Sequence, residues 1–154
     1  MDINELMTSG EVVADLRVTS KKQALQELAK RMAGVIGLHE RAIFDVLMER
    51  ERLGTTGVGK GIAIPHGKLP NLDRLYGLFA RLEKPVDFQA IDERPVDLIF
   101  LLLAPESAGA DHLKVLAKVS RLLRDSATCE KLRGTDTEDA LYAILTSSVE
   151  TEAA

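Results

Sequence analysis

The chain has 154 residues, of which 45% are hydrophobic and 29% charged, and its formal net charge is −4. This length suits a single globular domain that buries roughly 70% of its unfolded surface. The acidic excess lies in residues 135–154, and the rest of the chain is nearly neutral, which argues against the broad basic surface that nucleic acid requires.

The termini and the single cysteine also exclude some classes of protein. The start of the chain, MDINELMTSGEVV, has no basic segment followed by an apolar run, so we expect no signal peptide. The longest apolar run, Leu98 to Pro105, is too short for a membrane span. Cys129 has no partner for an intrachain disulfide, as is usual in a reducing cytosol. We therefore expect a cytoplasmic domain without membrane insertion.

Two helices are predicted in the first third of the chain. Ser20 and Gln23 have the spacing of a capping box, and Gly37 follows as a stop signal. The apolar residues of this helix recur on one face: Leu25, Leu28, Ala29 and Met32. A second helix is predicted from about Glu40 to Arg52, ending at Gly54.

Three strands follow in the middle of the chain. GIAIPH, residues 61–66, is a short apolar strand, and LYGLFARLE, residues 75–83, alternates as a half-buried strand does. VDLIFLLLAP, residues 96–105, is a continuous apolar run, which is typical of a strand covered on both faces.

Helical patterns return in the last third. GADHLKVLAKVSRLLRD predicts a largely buried helix with Asp111 as its N-cap, and TDTEDALYAILTS predicts a final helix with Thr135 and Glu138 in capping-box spacing. We expect one α/β domain over residues 1–154, with a structured core over about 6–146 and a tail over 147–154. Its mixed sheet should hold about four to six strands flanked by helices.

The stretch GTTGVGKGIAIPHGK, residues 54–68, contains five of the eleven glycines. It matches the P-loop pattern G-x-x-x-x-G-K-[ST] except at the last position, where Gly61 replaces the hydroxyl residue that holds magnesium. A P-loop also joins a strand to a helix, whereas this stretch follows a helix and leads into a strand. The dinucleotide fingerprint fails as well, because isoleucines stand where its third glycine is needed.

The same stretch ends on His66, which is either an incidental surface residue or a presented functional group. Pro65 fixes the backbone before it, and Gly67 leaves no side chain to obstruct a partner. His112 lies in the first turn of a predicted helix, where free N–H groups favour anions, and Arg50 can reach the same cleft from the end of its helix.

Neutral imidazole is a nucleophile, and phosphoryl transfer to its nitrogen needs mainly in-line positioning and hydrogen-bond donors. A phosphohistidine donor carries an activated P–N bond, so neither nucleotide nor metal cofactor is required. The three histidines lack the spacing of zinc ligands, and no G-x-S-x-G motif nominates a serine nucleophile.

The segments RERLGTTGVGKGIAIPHGKL, AIDERPVDLIFLLLAP and DHLKVLAKVSRLLRD resemble the enzyme IIA components of the bacterial phosphotransferase system, fructose/mannitol type, and above all the nitrogen-regulatory enzyme IIA. The resemblance covers about Leu6 to Thr146. It implies that His66 is the phosphoryl acceptor, carrying phosphate on Nε2, that His112 stabilises the transition state and that Arg50 stabilises the phosphate.

The resemblance also implies partners. The donor would be an HPr-type or nitrogen-branch phosphocarrier protein, and the outputs would be regulatory targets such as potassium transport proteins or sensor kinases. A sugar-specific enzyme IIA that passes phosphate to a IIB component stays open as the alternative. Because we see no IIB portion in this sequence and its motifs are more similar to those of the nitrogen type, we favour a regulatory function over sugar uptake.

Overall fold

The computed structural model describes the backbone of residues 2–153 and the side chains of residues 2–147. The helices are α1 (Ile3–Leu6), α2 (Lys21–Ile36), α3 (Glu40–Leu53), α4 (Ala110–Arg124), α5 (Ser126–Arg133) and α6 (Glu138–Ala153). The strands are β1 (Val12–Leu16), β2 (Gly57–Gly59), β3 (Ile62–Ala63), β4 (His66–Leu69), β5 (Tyr76–Val86) and β6 (Val96–Pro105). Short 3₁₀ turns cover Ser9–Glu11 and Glu106–Ala108.

These strands form one mixed sheet around β6. The order is β1-β5-β6-β3-β2, and β4 also pairs with β6. β6 runs antiparallel to β5 but parallel to β3 and β4, while β1 is parallel to β5 and β2 is antiparallel to β3. The predicted fold class, an α/β domain with a mixed sheet of four to six strands, is confirmed.

Helices cover both faces of the sheet. Alternate residues of β6 enter two different apolar clusters, one packed under α2 and α3 and the other under α4, α5 and α6. The prediction that β6 is covered on both faces is therefore confirmed. Residues 75–83 do contribute a strand, β5, as predicted, but the prediction that it is half-buried is wrong. Phe79 on its other face is also fully buried and packs against Phe100 with ring centroids 6.4 Å apart.

The helix boundaries in the first third agree with the sequence. Ser20 Oγ accepts a hydrogen bond from Gln23 N at 3.1 Å and so caps α2. Gly37 ends this helix with φ 72°, in the left-handed region that glycine adopts without strain. α3 ends at Gly54, as predicted.

Two predicted caps in the last third are wrong. α4 begins at Ala110 because Gly109, with φ 54°, makes the turn into the helix, and Asp111 lies inside the first turn. α6 begins after Thr137, whose Oγ1 accepts from Ala140 N at 3.2 Å, while Thr135 Oγ1 donates to Lys131 O at the end of α5. The α6 backbone continues to Ala153, where we predicted a tail, and the side chains of residues 148–154 lie outside the described part.

The predicted strand over 61–66 is two strands. Pro65 has no N–H to give to the ladder, so β3 stops at Ala63 and β4 starts at His66. Both pieces stay parallel to β6, and Pro65 O accepts from Leu102 N at 3.0 Å. His66 is therefore the first residue of a strand and not the last.

The glycine-rich stretch builds a hairpin. Lys60 and Gly61 join β2 to β3 with φ values of 58° and 82°, the positive φ at both central positions that a two-residue I′ turn requires. Arg133 Nη2 donates to Lys60 O at 2.9 Å and fixes this turn. Gly61 serves a tight turn against Arg133, whereas Gly54 ends α3 and Gly57 lies against Ala90, so the glycines of this stretch have structural uses that need no nucleotide.

Candidate functional site

His66 lies on the strand beside the end of β6, opposite Leu102. β4 pairs with β6 alone, so in the described sheet its other edge is free of a strand neighbour. The ring is half-buried. This position lets elements from both faces of the sheet reach the imidazole.

Two hydrogen bonds fix the imidazole of His66. Arg50 Nε lies 3.2 Å from His66 Nε2, and Ile64 O lies 2.9 Å from His66 Nδ1. A guanidinium can only donate, so Nε2 must accept and carries the lone pair. Nδ1 then bears the proton and donates to the Ile64 carbonyl. The contacts select the tautomer whose Nε2 is a nucleophile.

Arg50 is held on the last turn of α3. Its Nη1 donates to Gly54 O at 2.8 Å, so the guanidinium spans the helix end and the imidazole. Cations are favoured at this end of a helix because the unpaired carbonyls carry partial negative charge. The structure thus brings Arg50 to His66.

The surroundings keep His66 neutral. Burial of the ring lowers the pKa of His66 below its usual value of 6.5, and the hydrogen bond to Ile64 O opposes this shift. The charge of Arg50 lowers the pKa further, while Glu51 raises it slightly. The net shift of the pKa is downward, so at pH 7 Nε2 carries a lone pair and not a proton.

His112 lies beside His66, with ring centroids 5.7 Å apart and an angle of 49° between the planes. Only 6% of the residue is exposed, and its Nδ1 has no hydrogen-bond partner. Burial lowers the pKa of His112, and nearby His66 and Lys68 lower it further. A buried N–H without an acceptor is rarer than a buried lone pair without a donor, so we infer that Nδ1 of His112 carries the lone pair. The proton is then on Nε2, which can donate a hydrogen bond.

The start of α4 adds further donors. His112 is in its first turn, and the capping residue Gly109 offers no side chain to the free N–H groups. Such a terminus favours a bound anion. The three residues nominated from the sequence, His66, His112 and Arg50, therefore meet at one place, from β4, α4 and α3.

Gly67 has a packing role that the sequence did not reveal. It points to the face opposite His66, where a Cβ would lie well under 3.0 Å from Val46 Cγ1 of α3. We predicted that this glycine keeps the path to His66 open. The structure shows that it lets α3 approach β4 closely, and Arg50 lies one helical turn beyond Val46.

Other polar residues of the motif lie elsewhere. Lys60 lies at the tip of the hairpin, far from His66. Ile62 and His66 pair with residues of β6 that are four positions apart, which separates them by roughly 13 Å, and Lys60 lies beyond Ile62. His39 is exposed and accepts from Arg41 N at 3.2 Å as the N-cap of α3. Among the side chains of residues 2–147, no group of three or more His, Cys, Asp and Glu could hold a metal ion. None of the helices in the described part of the chain has the length and hydropathy of a membrane span.

Comparison with known proteins gives the class. The family model described as "Phosphoenolpyruvate-dependent sugar phosphotransferase system, EIIA 2" matches residues 5–148, so the chain belongs to this family of enzyme IIA components.

Within the family, the chain is similar to nitrogen-regulatory members. It is 57% identical over 145 residues to the nitrogen regulatory protein of Bradyrhizobium diazoefficiens, covering 94% of this chain and 95% of the relative. The nitrogen regulatory protein of Escherichia coli K12 is 42% identical over 130 residues, covering 84% and 80%. The crystal structure of nitrogen regulatory protein IIA-Ntr from Neisseria meningitidis matches with a TM-score of 0.89 and 38% identity, covering 94% and 99%. The resemblance stated from the sequence is confirmed.

Proposed function

We propose that this chain is a phosphohistidine carrier of the nitrogen-branch phosphotransferase system, which accepts a phosphoryl group on His66 from a phosphocarrier protein. One observation carries the proposal: the contacts of Arg50 and Ile64 leave the lone pair on Nε2 of a neutral, half-exposed ring. The relatives named nitrogen regulatory proteins support the branch.

The transfer exchanges one P–N bond for another. The lone pair of His66 Nε2 attacks phosphorus, the bond between phosphorus and the carrier's imidazole breaks, and the carrier's nitrogen leaves with the bonding electrons. The proton on His66 Nδ1 stays in place. Its hydrogen bond to Ile64 O stabilises the positive charge that the ring gains, so no separate base is needed.

Donors around the ring receive the charge of the phosphoryl group. Arg50 Nε–H occupies the lone pair in the resting protein, so the guanidinium must move aside and can then bind phosphoryl oxygens. The Nε2–H of His112 and the free N–H groups of α4 offer further donors on the other side. These groups act by positioning and charge stabilisation.

The output is regulation in the cytoplasm. A phosphoryl group at pH 7 adds a charge of about −1.5 to −2, enough to change which partner surface binds beside His66. Regulatory targets such as potassium transport proteins or sensor kinases would bind one phosphorylation state in preference to the other. Transfer onward to a IIB component in sugar uptake is the competing outcome.

Intact-mass measurement with purified phosphocarriers of both branches tests the proposal. Acceptance adds about 80 Da, and His66→Ala should show no gain because the nucleophile is absent. His39→Asn is the matched control: it changes an exposed histidine outside the site, keeps a capping side chain, and should be labelled like the parent. Labelling of His66→Ala would refute the assignment. Transfer to a IIB domain from an HPr-type carrier, without any from the nitrogen-branch carrier, would favour the sugar pathway.

A further inference from the structure

Glu51 lies behind the site, next to Arg50 on the last turn of α3, and is only 8% exposed. Its carboxylate accepts hydrogen bonds from Thr56 N at 3.0 Å and from Thr56 Oγ1, and pairs with Lys21 Nζ at 2.7 Å. A buried carboxylate needs such partners because burial without them is costly. The transfer chemistry described above uses none of these groups.

The hydrogen bonds of Thr56 interrupt the β2–β3 ladder. Gly57 pairs with Ala63, so Thr56 and Ile64 come next in this antiparallel register. Two residues of a hydrogen-bonded antiparallel pair normally exchange both N–H···O bonds. Here Ile64 N donates to Thr56 O at 3.0 Å, but Thr56 N donates to Glu51 and the return bond to Ile64 O is not made.

The carbonyl left out of the ladder is the acceptor for His66. Ile64 O lies 2.9 Å from His66 Nδ1, and this contact places the proton on Nδ1 and the lone pair on Nε2. The carbonyl oxygen has two lone pairs, so a free Thr56 N–H would share it from the ladder position and weaken its hydrogen bond to His66 Nδ1. Arg50 favours the same tautomer by donating to Nε2, so what holds Thr56 sets the strength of the second hydrogen bond that selects this tautomer.

We propose that Glu51 is a positioning residue for phosphoryl acceptance: by capturing the Thr56 N–H, it reserves the Ile64 carbonyl for His66 Nδ1. Its link to phosphoryl acceptance rests on the proposed function, whereas its effect on the tautomer does not. Lys21 has a separate task, since it balances the charge of the buried carboxylate without touching the ladder.

The ¹⁵N chemical shifts of the His66 ring test the proposal in the unphosphorylated protein. In Glu51→Ala we expect the ratio of Nδ1–H to Nε2–H tautomer to fall by about 2- to 12-fold, which corresponds to the net worth of one hydrogen bond. Glu51→Gln should retain the parental ratio, because its amide oxygen can still accept from Thr56 N. The rate of phosphoryl acceptance should follow the same order.

Lys21→Met is the matched control for simple destabilisation. It leaves the buried carboxylate without its ion pair but keeps Thr56 N bound, so it should lower the melting temperature and leave the tautomer unchanged. An unchanged tautomer in Glu51→Ala would overturn the proposal, and so would an equal change in Lys21→Met.

The parent protein supplies a test that does not depend on whether Glu51→Ala folds. Couplings across hydrogen bonds should connect the Thr56 amide nitrogen with the side-chain carboxyl carbon of Glu51. A coupling between Thr56 N and the Ile64 carbonyl carbon would show a closed ladder and overturn the proposal. Both NMR tests are read without phosphate, so a failure of the proposed function would appear separately, as an absence of labelling with a normal tautomer pattern.

Discussion

Gly67→Ala should damage both stability and phosphoryl acceptance, through one contact. The added Cβ would lie well under 3.0 Å from Val46 Cγ1, and the valine side chain is stiff in a helix. Either α3 or β4 must therefore move by roughly 1 Å to restore an ordinary contact of about 3.5–4.0 Å. Arg50, four residues after Val46, moves with the helix.

The magnitude follows from overpacking. An extra methyl in a packed site costs about 1–3 kcal/mol, and the smaller entropy of the unfolded alanine chain offsets about 0.4–1 kcal/mol of that. Arg50 Nε is 3.2 Å from His66 Nε2, and a shift of this size displaces the guanidinium from the place where it would bind phosphoryl oxygens. We expect the rate of acceptance to fall by about 10- to 100-fold.

A double-mutant cycle decides whether the contact is responsible. Urea unfolding and initial rates of phosphorylation are measured for the parent, Gly67→Ala, Val46→Ala and the double variant. Val46→Ala removes the clashing methyl, so the double variant should recover the rate and show a coupling of about 1–3 kcal/mol. Additive effects, or a parental rate in Gly67→Ala, would refute the reasoning.

Three further predictions concern the same molecule. His112→Ala should slow acceptance by about 10- to 1,000-fold without abolishing it, because one donor is lost, and a parental rate in a phosphorylation time course would make His112 a bystander. The pKa values of His66 and His112 are lowered in the folded protein, so the unfolded chain binds protons first as the pH falls below 6.5. The free energy of unfolding should therefore decrease in that range, and His66→Gln should make the decrease smaller in urea titrations at several pH values. Gly61→Ala should lower the free energy of unfolding by about 1–3 kcal/mol, because its Cβ would lie 2.6 Å from Arg133 Nη2. The rate of phosphoryl acceptance should not change. A lower rate at full stability would show that the hairpin contributes to the site.

Patterns that depend on local periodicity were predictable from the sequence. The β6 run, the N-cap at Ser20 and the stop at Gly54 are set by neighbours along the chain, and all three are confirmed. The second half of the predicted capping box differs, because Gln23 Oε1 accepts from Thr19 N and not from Ser20 N. β1, β2 and α5 were missed because they are short, and β1 in addition pairs with β5, which lies far away in sequence. The sequence analysis expected His66, His112 and Arg50 to be neighbours, and the structure places them together. Each of them lies in one of the segments that carry the family resemblance, so no knowledge of the packing was needed.

The contacts that tune the site left no such signal. The acceptor for His66 Nδ1 is a backbone carbonyl, and any residue at position 64 would supply one. Gly67 looked like an open approach, and only the distance to Val46 reveals tight packing. Glu51 is next to Arg50 in the motif, but its proposed role depends on a hydrogen bond from Thr56 N to its carboxylate, which replaces a bond within the sheet.

The topology explains why these groups meet. In the described sheet, β4 pairs only with β6 and has no strand on its other edge, so α3 reaches His66 from one face of the sheet and α4 from the other. α4 follows the carboxyl end of β6 after one 3₁₀ turn, so its positive N-terminus lies at the end of the sheet where open α/β folds bind ligands. A group transferred to Nε2 would thus lie between donors on two independently packed helices. A shift of either helix would change the stabilisation of that group without changing the nucleophile, so a protein that bound either helix would have a physical means to influence transfer.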